Sequence, residues 1–207
     1  MTILWLIIIA AVSYLIGSIS CAIIVGKVMA GDDIRSHGSG NAGATNALRT
    51  YGKFAALLVT LGDCLKSAVC CIVAILLSKY TPLGAENRDL AVYAAGFGSV
   101  LGHNFPLYFN FKGGKGILVS VTAYFFANWQ ISLVIAIISI AIMAITKYVS
   151  LGSVVGAVLF IIAAIVFETN NISYIIFTII LSSIAIYRHR ENIKRLINGT
   201  ESKLTKK

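Results

Sequence analysis

Charged residues are scarce in this sequence, and acidic residues are scarcer than basic ones. Only 12% of the 207 residues are charged, with 8 acidic against 17 basic side chains, whereas 58% are hydrophobic. Soluble domains are typically about a quarter charged and about half apolar, and the mean hydropathy here is +0.88. The composition therefore excludes a water-soluble core and indicates an integral membrane protein.

Apolar stretches that suit membrane spans recur along the chain, at residues 3–24, 55–77, 90–108, 117–145, 151–167 and 172–186. A bilayer core about 30 Å thick needs about 20 helical residues, so 117–145 is too long for one crossing. Asn128, Trp129 and Gln130 interrupt it with amides that are costly in lipid. We therefore predict an all-α integral membrane protein with seven transmembrane helices, forming a single polytopic domain over residues 1–207. The first stretch lacks a basic leader and a small-residue cleavage site, which favours a retained span over a signal peptide.

Lysine and arginine side chains predict the orientation, because they are retained on the cytoplasmic side during insertion. The connections after the first, third, fifth and seventh helices carry most of them: Lys27, Arg35, Arg49, Lys53, Lys112, Lys115, Lys147, Arg188, Arg190, Lys194, Arg195, Lys203, Lys206 and Lys207. The opposite connections carry only Lys79 and Arg88. The N-terminus is therefore predicted outside and the C-terminus in the cytoplasm. The net charge of +9 indicates topology and contact with anionic membrane lipid, and we predict no nucleic-acid partner.

Several catalytic and metal-binding patterns are absent from the sequence. The four cysteines lie in apolar stretches without C-x-x-C spacing, which favours packing roles. No G-x-S-x-G nucleophile elbow occurs, and Gly116 stands where a Walker A loop needs Ser or Thr after Gly-Lys. The sequence therefore predicts no metal site and no cofactor, and it gives little support to an acyl-serine intermediate.

Residues 36–46, the first glycine-rich segment, follow the first helix. They combine three glycines, Gly38, Gly40 and Gly43, with hydroxyl and amide side chains. Such a backbone adopts tight or positive-φ turns and presents N–H groups inward, which suits an anion. A flexible loop is the plainer interpretation. The helical pattern that begins at Asn46 favours function, because a helix N-terminus stabilises a phosphate.

Residues 102–116, the second glycine-rich segment, follow the third helix. Gly113 and Gly114 lie there between Lys112 and Lys115. Close-approaching glycine backbone and two cations suit a phosphate. Cations at a membrane interface often serve topology alone, but that interpretation leaves the glycines unexplained. His103 in this segment is interpreted as an interfacial residue with one structural hydrogen bond, the commoner fate of a lone histidine.

Residues 188–201, the third segment, are predicted to extend the seventh helix. Four polar side chains share one face of a continuous helix at i, i+3, i+4 and i+7: Arg188, Glu191, Asn192 and Arg195. This stripe predicts either a polar binding surface or an amphipathic helix on anionic headgroups, with Glu191 as a candidate partner for Arg195. The Asn-Gly pair at 198–199 indicates the helix end.

Asp63 and Lys66 lie three residues apart within the second predicted span. Ionisable side chains in a membrane are costly and usually face a partner or a polar cavity. They predict a structural ion pair or support for the polar site.

The three polar segments resemble the motifs of the bacterial acyl-phosphate:glycerol-3-phosphate acyltransferase family. The matching residues read GSGNAGATN at 38–46, GHNFP at 102–106 with KGGKG at 112–116, and EN, R and GTE within 191–201. The resemblance covers nearly the whole chain. It implies seven helices in the bacterial inner (plasma) membrane with all three motifs cytoplasmic.

The resemblance also implies the reaction and the site. A fatty acyl group passes from acyl phosphate to the 1-hydroxyl of glycerol 3-phosphate, giving lysophosphatidic acid and inorganic phosphate in the first step of phospholipid synthesis. The implied substrate-binding residues are Ser39, Asn41, Thr45, Arg49, Lys112, Gly113, Gly114, Lys115, His189, Asn192 and Arg195, with Lys112 and Lys115 as alternatives for one phosphate. The implied catalytic residues are His189, Asn192 and Ser39. Either His189 or a substrate phosphate oxygen is the base.

Other functions fit the sequence less well. A membrane transporter of a phosphorylated solute would use Asp63, Lys66 and the glycine-rich loops to line a path, but the one-sided charge argues against it. A CDP-alcohol phosphotransferase would need several grouped aspartates, and only Asp32 and Asp33 are adjacent. An acyl phosphate is already activated, so an enzyme rich in anion ligands works by aligning two anions and stabilising the departing phosphate.

Overall fold

The computed structural model describes residues 1–204, and in that range its secondary structure consists of helices, without strands. Lys206 and Lys207, which entered the charge count above, lie outside the described residues. The α-helices are α1 (Thr2–Gly17), α2 (Cys21–Ala30), α3 (Ala44–Tyr51), α4 (Lys53–Tyr80), α5 (Arg88–Asn104), α6 (Ile117–Ala127), α7 (Trp129–Thr146), α8 (Val149–Phe167), α9 (Ile172–Arg188) and α10 (Arg190–Ile197). Short 3₁₀ helices occupy Ile34–Ser36, Ala85–Asn87 and Leu107–Phe109.

The helices group into two compact units, Met1–Ala127 and a second that begins at Asn128. In the first unit, α5 packs against α1, α4 and α6, and α4 also packs against α2 and α3. In the second unit, α8 packs against α7 and α9, and α10 packs against α8 and α9. The single domain expected from the sequence stays a prediction.

The helix lengths bear on the predicted number of spans. Four segments within residues 1–204 are long and apolar enough to cross a membrane: Thr2–Ala30, Lys53–Tyr80, Trp129–Thr146 and Val149–Phe167. The pair α9 and α10, bent by 59°, makes a fifth if it is one span. Helix α5 has 17 residues and α6 has 11. The fold is that of a multi-pass helical membrane protein, and the count of seven spans stays a prediction.

The predicted break within residues 117–145 is confirmed. Helix α6 ends at Ala127 and α7 begins at Trp129. The Asn128 side chain caps α7 by accepting a hydrogen bond from the Ile131 N–H at 3.1 Å, and its amide donates to Glu168 Oε1 at 2.7 Å. An amide that would be costly in lipid is thus satisfied within the protein.

The first predicted span, residues 3–24, is interrupted, which the sequence analysis did not anticipate. Helix α1 ends at Gly17 and α2 begins only at Cys21. A Gly-Ser pair is a common site of helix kinks, and here Ser18 Oγ donates to the Tyr14 carbonyl at 2.8 Å and accepts from the Leu107 N–H at 3.2 Å. The hydrogen bonds of Ser18 therefore link the end of α1 to Leu107, in the connection that follows α5.

Helices α1 and α5 approach each other through glycines. A Cβ added at Gly98 would meet the carbonyl oxygen of Ala10, and one added at Gly102 would meet that of Tyr14. Small residues four apart allow this close contact between helices in membranes. The contact positions the end of α5, where the second glycine-rich segment begins.

Candidate active site

Asn46, buried in the first turn of α3, organises the first glycine-rich segment. Its Oδ1 accepts a hydrogen bond from the Ser39 N–H at 2.9 Å, and its Nδ2 donates to the carbonyls of Ile34 at 3.1 Å and His37 at 3.0 Å. The chain turns at Gly38, whose φ is +57° and where an added Cβ would meet Asn46 Oδ1. The segment is thus a bonded turn that leads into a helix, as predicted, rather than a flexible loop.

The predicted site residues of this segment line the turn and the start of α3. Ser39 and Arg49 are exposed, whereas Asn41 and Thr45 are half-buried. The Ser39 N–H donates to Asn46, so the predicted binding role of Ser39 would use its hydroxyl rather than its amide. The sequence analysis quoted Asn46 as part of the motif and assigned it no role.

The second glycine-rich segment folds back onto the end of α5. The Gly113 N–H donates to the Asn104 carbonyl at 3.3 Å, and the Gly114 N–H donates to the His103 carbonyl at 3.1 Å. Both glycines are buried, and a Cβ added at Gly113 would meet the His103 carbonyl oxygen. Glycine is therefore needed here for close packing. The use of Gly113 and Gly114 as a phosphate cradle stays a prediction, while Lys112 is exposed and Lys115 half-buried beside them.

Arg35 joins the two segments. Its guanidinium NH1 donates to the carbonyls of Phe109 and Lys112, both at 3.0 Å. The Asp33 carboxylate holds the same guanidinium at 2.7 Å, and hydrogen bonds from Arg35 lower the pKa of Asp33 despite its partial burial. The sequence analysis used Arg35 only for topology. In the neighbouring sequence, Asp33 was the one residue that could indicate a partner for Arg35.

A second contact brings the two segments together at Gly114. A Cβ added there would lie 2.7 Å from the Ala42 carbonyl oxygen in the first segment. The predicted residues of both segments therefore belong to one region of the first unit.

The predicted ion pair in α4 is present and buried. Lys66 Nζ lies 2.9 Å from Asp63 Oδ1 and 3.0 Å from His103 Nδ1, and it donates to the Ile19 carbonyl at 2.9 Å. His103 is buried in the protein, with 7% of its surface exposed, and its contact with Lys66 agrees with the structural hydrogen bond expected of it, while its place at the membrane interface stays a prediction. Three contacts offset the cost of burying the ammonium group inside the protein.

The third segment is not a continuation of α9 in one straight helix, which corrects the prediction. Helix α9 ends at Arg188, and α10 begins at Arg190 after a bend of 59°. Between them, His189 Nδ1 lies 2.8 Å from the Ala185 carbonyl, which also accepts the His189 N–H at 3.1 Å. Because the side chain shares this carbonyl with the backbone, the helix departs from regular geometry at His189. The predicted helix end is confirmed, since α10 stops at Ile197.

The contact with Ala185 selects the tautomer of His189. A carbonyl only accepts hydrogen bonds, so Nδ1 carries the proton. The neutral ring then has its lone pair on Nε2, as a general base requires.

Glu201 gathers the predicted residues of α10. Its carboxylate accepts hydrogen bonds from Asn192 Nδ2 at 2.8 Å, from Arg195 Nε at 2.7 Å and from Ser150 Oγ at 3.0 Å. Burial raises the pKa of Glu201, but these hydrogen bonds outweigh it and lower the pKa overall. The sequence analysis quoted Glu201 as a motif residue without a partner.

The pairing suggested between Glu191 and Arg195 is wrong. The exposed Glu191 carboxylate lies 3.4 Å from Lys194 Nζ instead. Arg195 is held by Glu201, with 42% of its side chain exposed.

Possible metal ligands are not grouped in the described part of the chain. Within residues 1–204, no set of three or more His, Cys, Asp or Glu side chains is arranged to hold a metal ion.

Comparison with known proteins places the chain in a family. A family model described as glycerol-3-phosphate acyltransferase matches residues 7–199, a range that contains every predicted site residue. The chain belongs to the glycerol-3-phosphate acyltransferase family. A family member from Clostridioides difficile (strain 630), named glycerol-3-phosphate acyltransferase, is 46% identical over 205 residues, which cover 97% of this chain and 96% of that protein. Another of that name, from Finegoldia magna, is 40% identical over 206 residues and 100% of each chain.

Solved structures of the family have the same fold. The crystal structure of PlsY, an integral membrane glycerol 3-phosphate acyltransferase, in its glycerol 3-phosphate form gives a TM-score of 0.83 at 31% identity, covering 97% of this chain and 96% of that one. Its lysophosphatidic acid form gives a TM-score of 0.78 and covers 98% and 95%. The chain is therefore a membrane-embedded acyltransferase of this family.

Proposed function

We propose that this protein transfers a fatty acyl group from acyl phosphate to the 1-hydroxyl of glycerol 3-phosphate, giving lysophosphatidic acid and inorganic phosphate. The observation that carries the proposal is the likeness over nearly the whole chain to an acyltransferase solved with glycerol 3-phosphate and with lysophosphatidic acid. These two molecules differ by one acyl group, so they are the acceptor and the product of a single transfer.

The acyl phosphate donor is proposed from chemistry and from the motif resemblance. The 1-hydroxyl oxygen attacks the acyl carbon, the bond from that carbon to the phosphate oxygen breaks, and phosphate departs with the electron pair. Arginine and lysine side chains stabilise such a leaving group without covalent catalysis. The sequence is rich in these side chains at the glycine-rich segments and has no nucleophile elbow.

In the first unit, Ser39, Arg49 and one of Lys112 and Lys115 bind phosphate groups of the two substrates. Asn41 and Thr45 shape the first turn, and Gly113 and Gly114 form the second. The bonds from Arg35 to the second segment support this assignment, because they join the two turns that carry these side chains.

In the second unit, Asn192 and Arg195 bind a phosphate group, and their shared bond to Glu201 supports a common role. His189 accepts the proton of the attacking hydroxyl at Nε2, with a substrate phosphate oxygen as the alternative base. A His189→Ala variant separates the two: loss of turnover with a changed pH profile supports the histidine, and near-normal turnover with an unchanged pH dependence assigns the proton to the phosphate.

The reaction is placed at the cytoplasmic face of a bacterial plasma membrane, with the N-terminus outside and seven crossings. The support is the one-sided distribution of lysine and arginine. Fatty acyl substrate and product are lipids, so membrane lipid is the immediate surrounding of the site.

The test is an assay of purified protein with acyl phosphate and glycerol 3-phosphate, in which phosphate release is followed in the presence of a chelator. We expect release that depends on glycerol 3-phosphate and persists in chelator. Loss of activity in chelator would contradict metal-independent transfer. Uptake of labelled glycerol 3-phosphate into proteoliposomes without acyl transfer would replace the proposal with the transporter.

A further inference from the structure

His103 lies where the buried ion pair of α4 meets the second glycine-rich segment. One ring nitrogen, Nδ1, lies 3.0 Å from Lys66 Nζ. The opposite edge of the ring faces Gly114, where an added Cβ would meet Nε2 and lie 2.8 Å from Cε1. The imidazole therefore fills the space between a charged pair inside a span and a segment that carries predicted phosphate ligands.

Lys66 fixes which ring nitrogen of His103 carries the proton. An ammonium group has three N–H donors and no acceptor, and Lys66 Nζ has three neighbours, Asp63 Oδ1 at 2.9 Å, the Ile19 carbonyl at 2.9 Å and His103 Nδ1 at 3.0 Å. Nδ1 also lies 3.5 Å from Asp63 Oδ1, but its shorter contact is with the ammonium group, which can only donate. Nδ1 is therefore assigned as the acceptor of Lys66, and a neutral imidazole that accepts at Nδ1 is protonated at Nε2. This tautomer is the opposite of the one that Ala185 selects in His189.

The same ammonium group also donates a hydrogen bond to the backbone in the break between α1 and α2. Ile19 lies in that break, and a backbone carbonyl without a partner is costly inside a membrane. Lys66 donates to it, while Asp63 compensates the buried charge. Asp63 and the Ile19 carbonyl thus fix the position of the Lys66 ammonium group that contacts His103.

We propose that His103 is a positioning residue for the acyl transfer. Lys66 holds its ring as the Nε2–H tautomer, Asp63 compensates the charge of Lys66, and the ring sets the position of the segment at Gly114 against the first segment, where the Ala42 carbonyl lies. The inference rests on the proposed function, because the segment that it positions carries Lys112 and Lys115. It assigns the two charges of α4 a purpose beyond structural pairing.

The tautomer is tested by nitrogen-15 resonances of histidine-labelled protein in lipid nanodiscs. The chain has three histidines, and a His103→Gln variant identifies the signals of His103 by difference. We expect a protonated Nε2 and a hydrogen-bonded, unprotonated Nδ1, and loss of that pattern in Lys66→Met. A proton on Nδ1, or an unchanged pattern in Lys66→Met, would overturn the proposal.

The positioning role is tested by kinetics with both substrates. Displacing a binding segment by about 1 Å costs on the order of 100-fold in rate, so we expect His103→Asn and Lys66→Met to lower kcat/KM by about 10- to 100-fold. His103→Gln, whose amide reaches the Nε2 position, should recover most of the loss. Ser99→Ala, at another buried polar side chain of α5, is the control and should stay within about 2-fold of the wild type.

A double variant tests whether the residues act through one ring. Gly114→Ala alone should lower kcat/KM because its Cβ would displace the imidazole. If both changes act through His103, the loss in Gly114→Ala with Lys66→Met is smaller than the product of the single losses. Losses that multiply would contradict the proposal.

The outcomes separate this inference from the proposed function. If the wild type does not turn over acyl phosphate and glycerol 3-phosphate, the proposed function fails. If the wild type is active and His103→Asn is equally active, only the inference fails. Where Lys66→Met does not yield folded protein, the charge-neutral pair Asp63→Asn with Lys66→Met replaces it, and wild-type kinetics in that pair would overturn the inference.

Discussion

Arg49 and Arg195 are the two arginines assigned to substrate phosphate groups. Replacing either with alanine removes a charge-assisted hydrogen bond, worth about 1.5–3 kcal/mol. We expect the KM for glycerol 3-phosphate to rise about 10- to 100-fold in each variant, as measured in steady-state assays.

The matched control for Arg195 is Arg190→Ala on the same helix. Arg190 is exposed and stacks on Tyr187, with its guanidinium carbon 4.6 Å from the ring centroid. The KM of Arg190→Ala for glycerol 3-phosphate should stay close to that of the wild type. Unaltered kinetics in both Arg49→Ala and Arg195→Ala would remove the phosphate-site assignment.

Glu201 gives the third segment a pH-dependent contribution to stability. Hydrogen bonds from Asn192, Arg195 and Ser150 lower its pKa in the folded protein below that of an ordinary glutamate, so the folded state favours the carboxylate. The stabilisation is complete above the pKa of the unfolded chain and is lost as the pH falls through the lower folded pKa. The thermal midpoint of wild type should exceed that of Glu201→Gln at pH 7, and the gap should narrow below about pH 4.5.

Glu191→Gln serves as the control for this measurement, because its carboxylate is exposed and contacts only neighbouring cations. Its thermal midpoint should match that of the wild type at pH 7. A gap between wild type and Glu201→Gln that widens on acidification would contradict the role given to the hydrogen bonds at Glu201.

At the scale of the helices, the contact between α1 and α5 depends on glycine. Gly98→Ala places a methyl group against the backbone carbonyl of Ala10, which cannot move without shifting a helix. We expect a loss of about 1–3 kcal/mol in the free energy of unfolding, as for overpacked interiors, seen as a lower thermal midpoint in detergent.

Gly62→Ala is the comparison, since its Cβ would meet the Cys21 side chain rather than backbone. A thiol changes rotamer at small cost, so Gly62→Ala should lose less stability. Equal midpoints for Gly98→Ala and the wild type would show that the two helices are not held at this distance.

The breaks between helices show which structural features the sequence could predict. Asn128 interrupts an apolar run, and polarity in lipid is a strong signal, so the break between α6 and α7 was predicted. The break after Gly17 depends on Lys66 and Leu107, which are distant in sequence. The bend at His189 lies within an unbroken helical pattern, and only its bond to Ala185 distinguishes it.

The site residues divide in the same way. The glycine-rich turns and their flanking cations form local patterns, so the sequence could indicate them as candidates. Arg35 and Glu201 act through partners 74 and 51 residues away, Phe109 and Ser150, and no local pattern marks such pairs. The contact of His103 with Lys66 exists only in the folded chain, so the sequence could not indicate that partner.

For the whole molecule, the charge distribution predicts that Lys79 and Lys203 lie on opposite sides of the membrane. In a variant without native cysteines, Lys79→Cys should react with an impermeant thiol reagent added outside intact cells. Lys203→Cys should react only after the membrane is permeabilised. Labelling of Lys203→Cys in intact cells would reverse the predicted orientation.

The identity of the acyl donor and acceptor is tested most directly by the product of the reaction. Purified protein in proteoliposomes is supplied with labelled glycerol 3-phosphate and either acyl phosphate or acyl-CoA, and the lipid product is identified by mass spectrometry. We expect labelled lysophosphatidic acid with acyl phosphate and none with acyl-CoA. Formation of lysophosphatidic acid from acyl-CoA alone would contradict it.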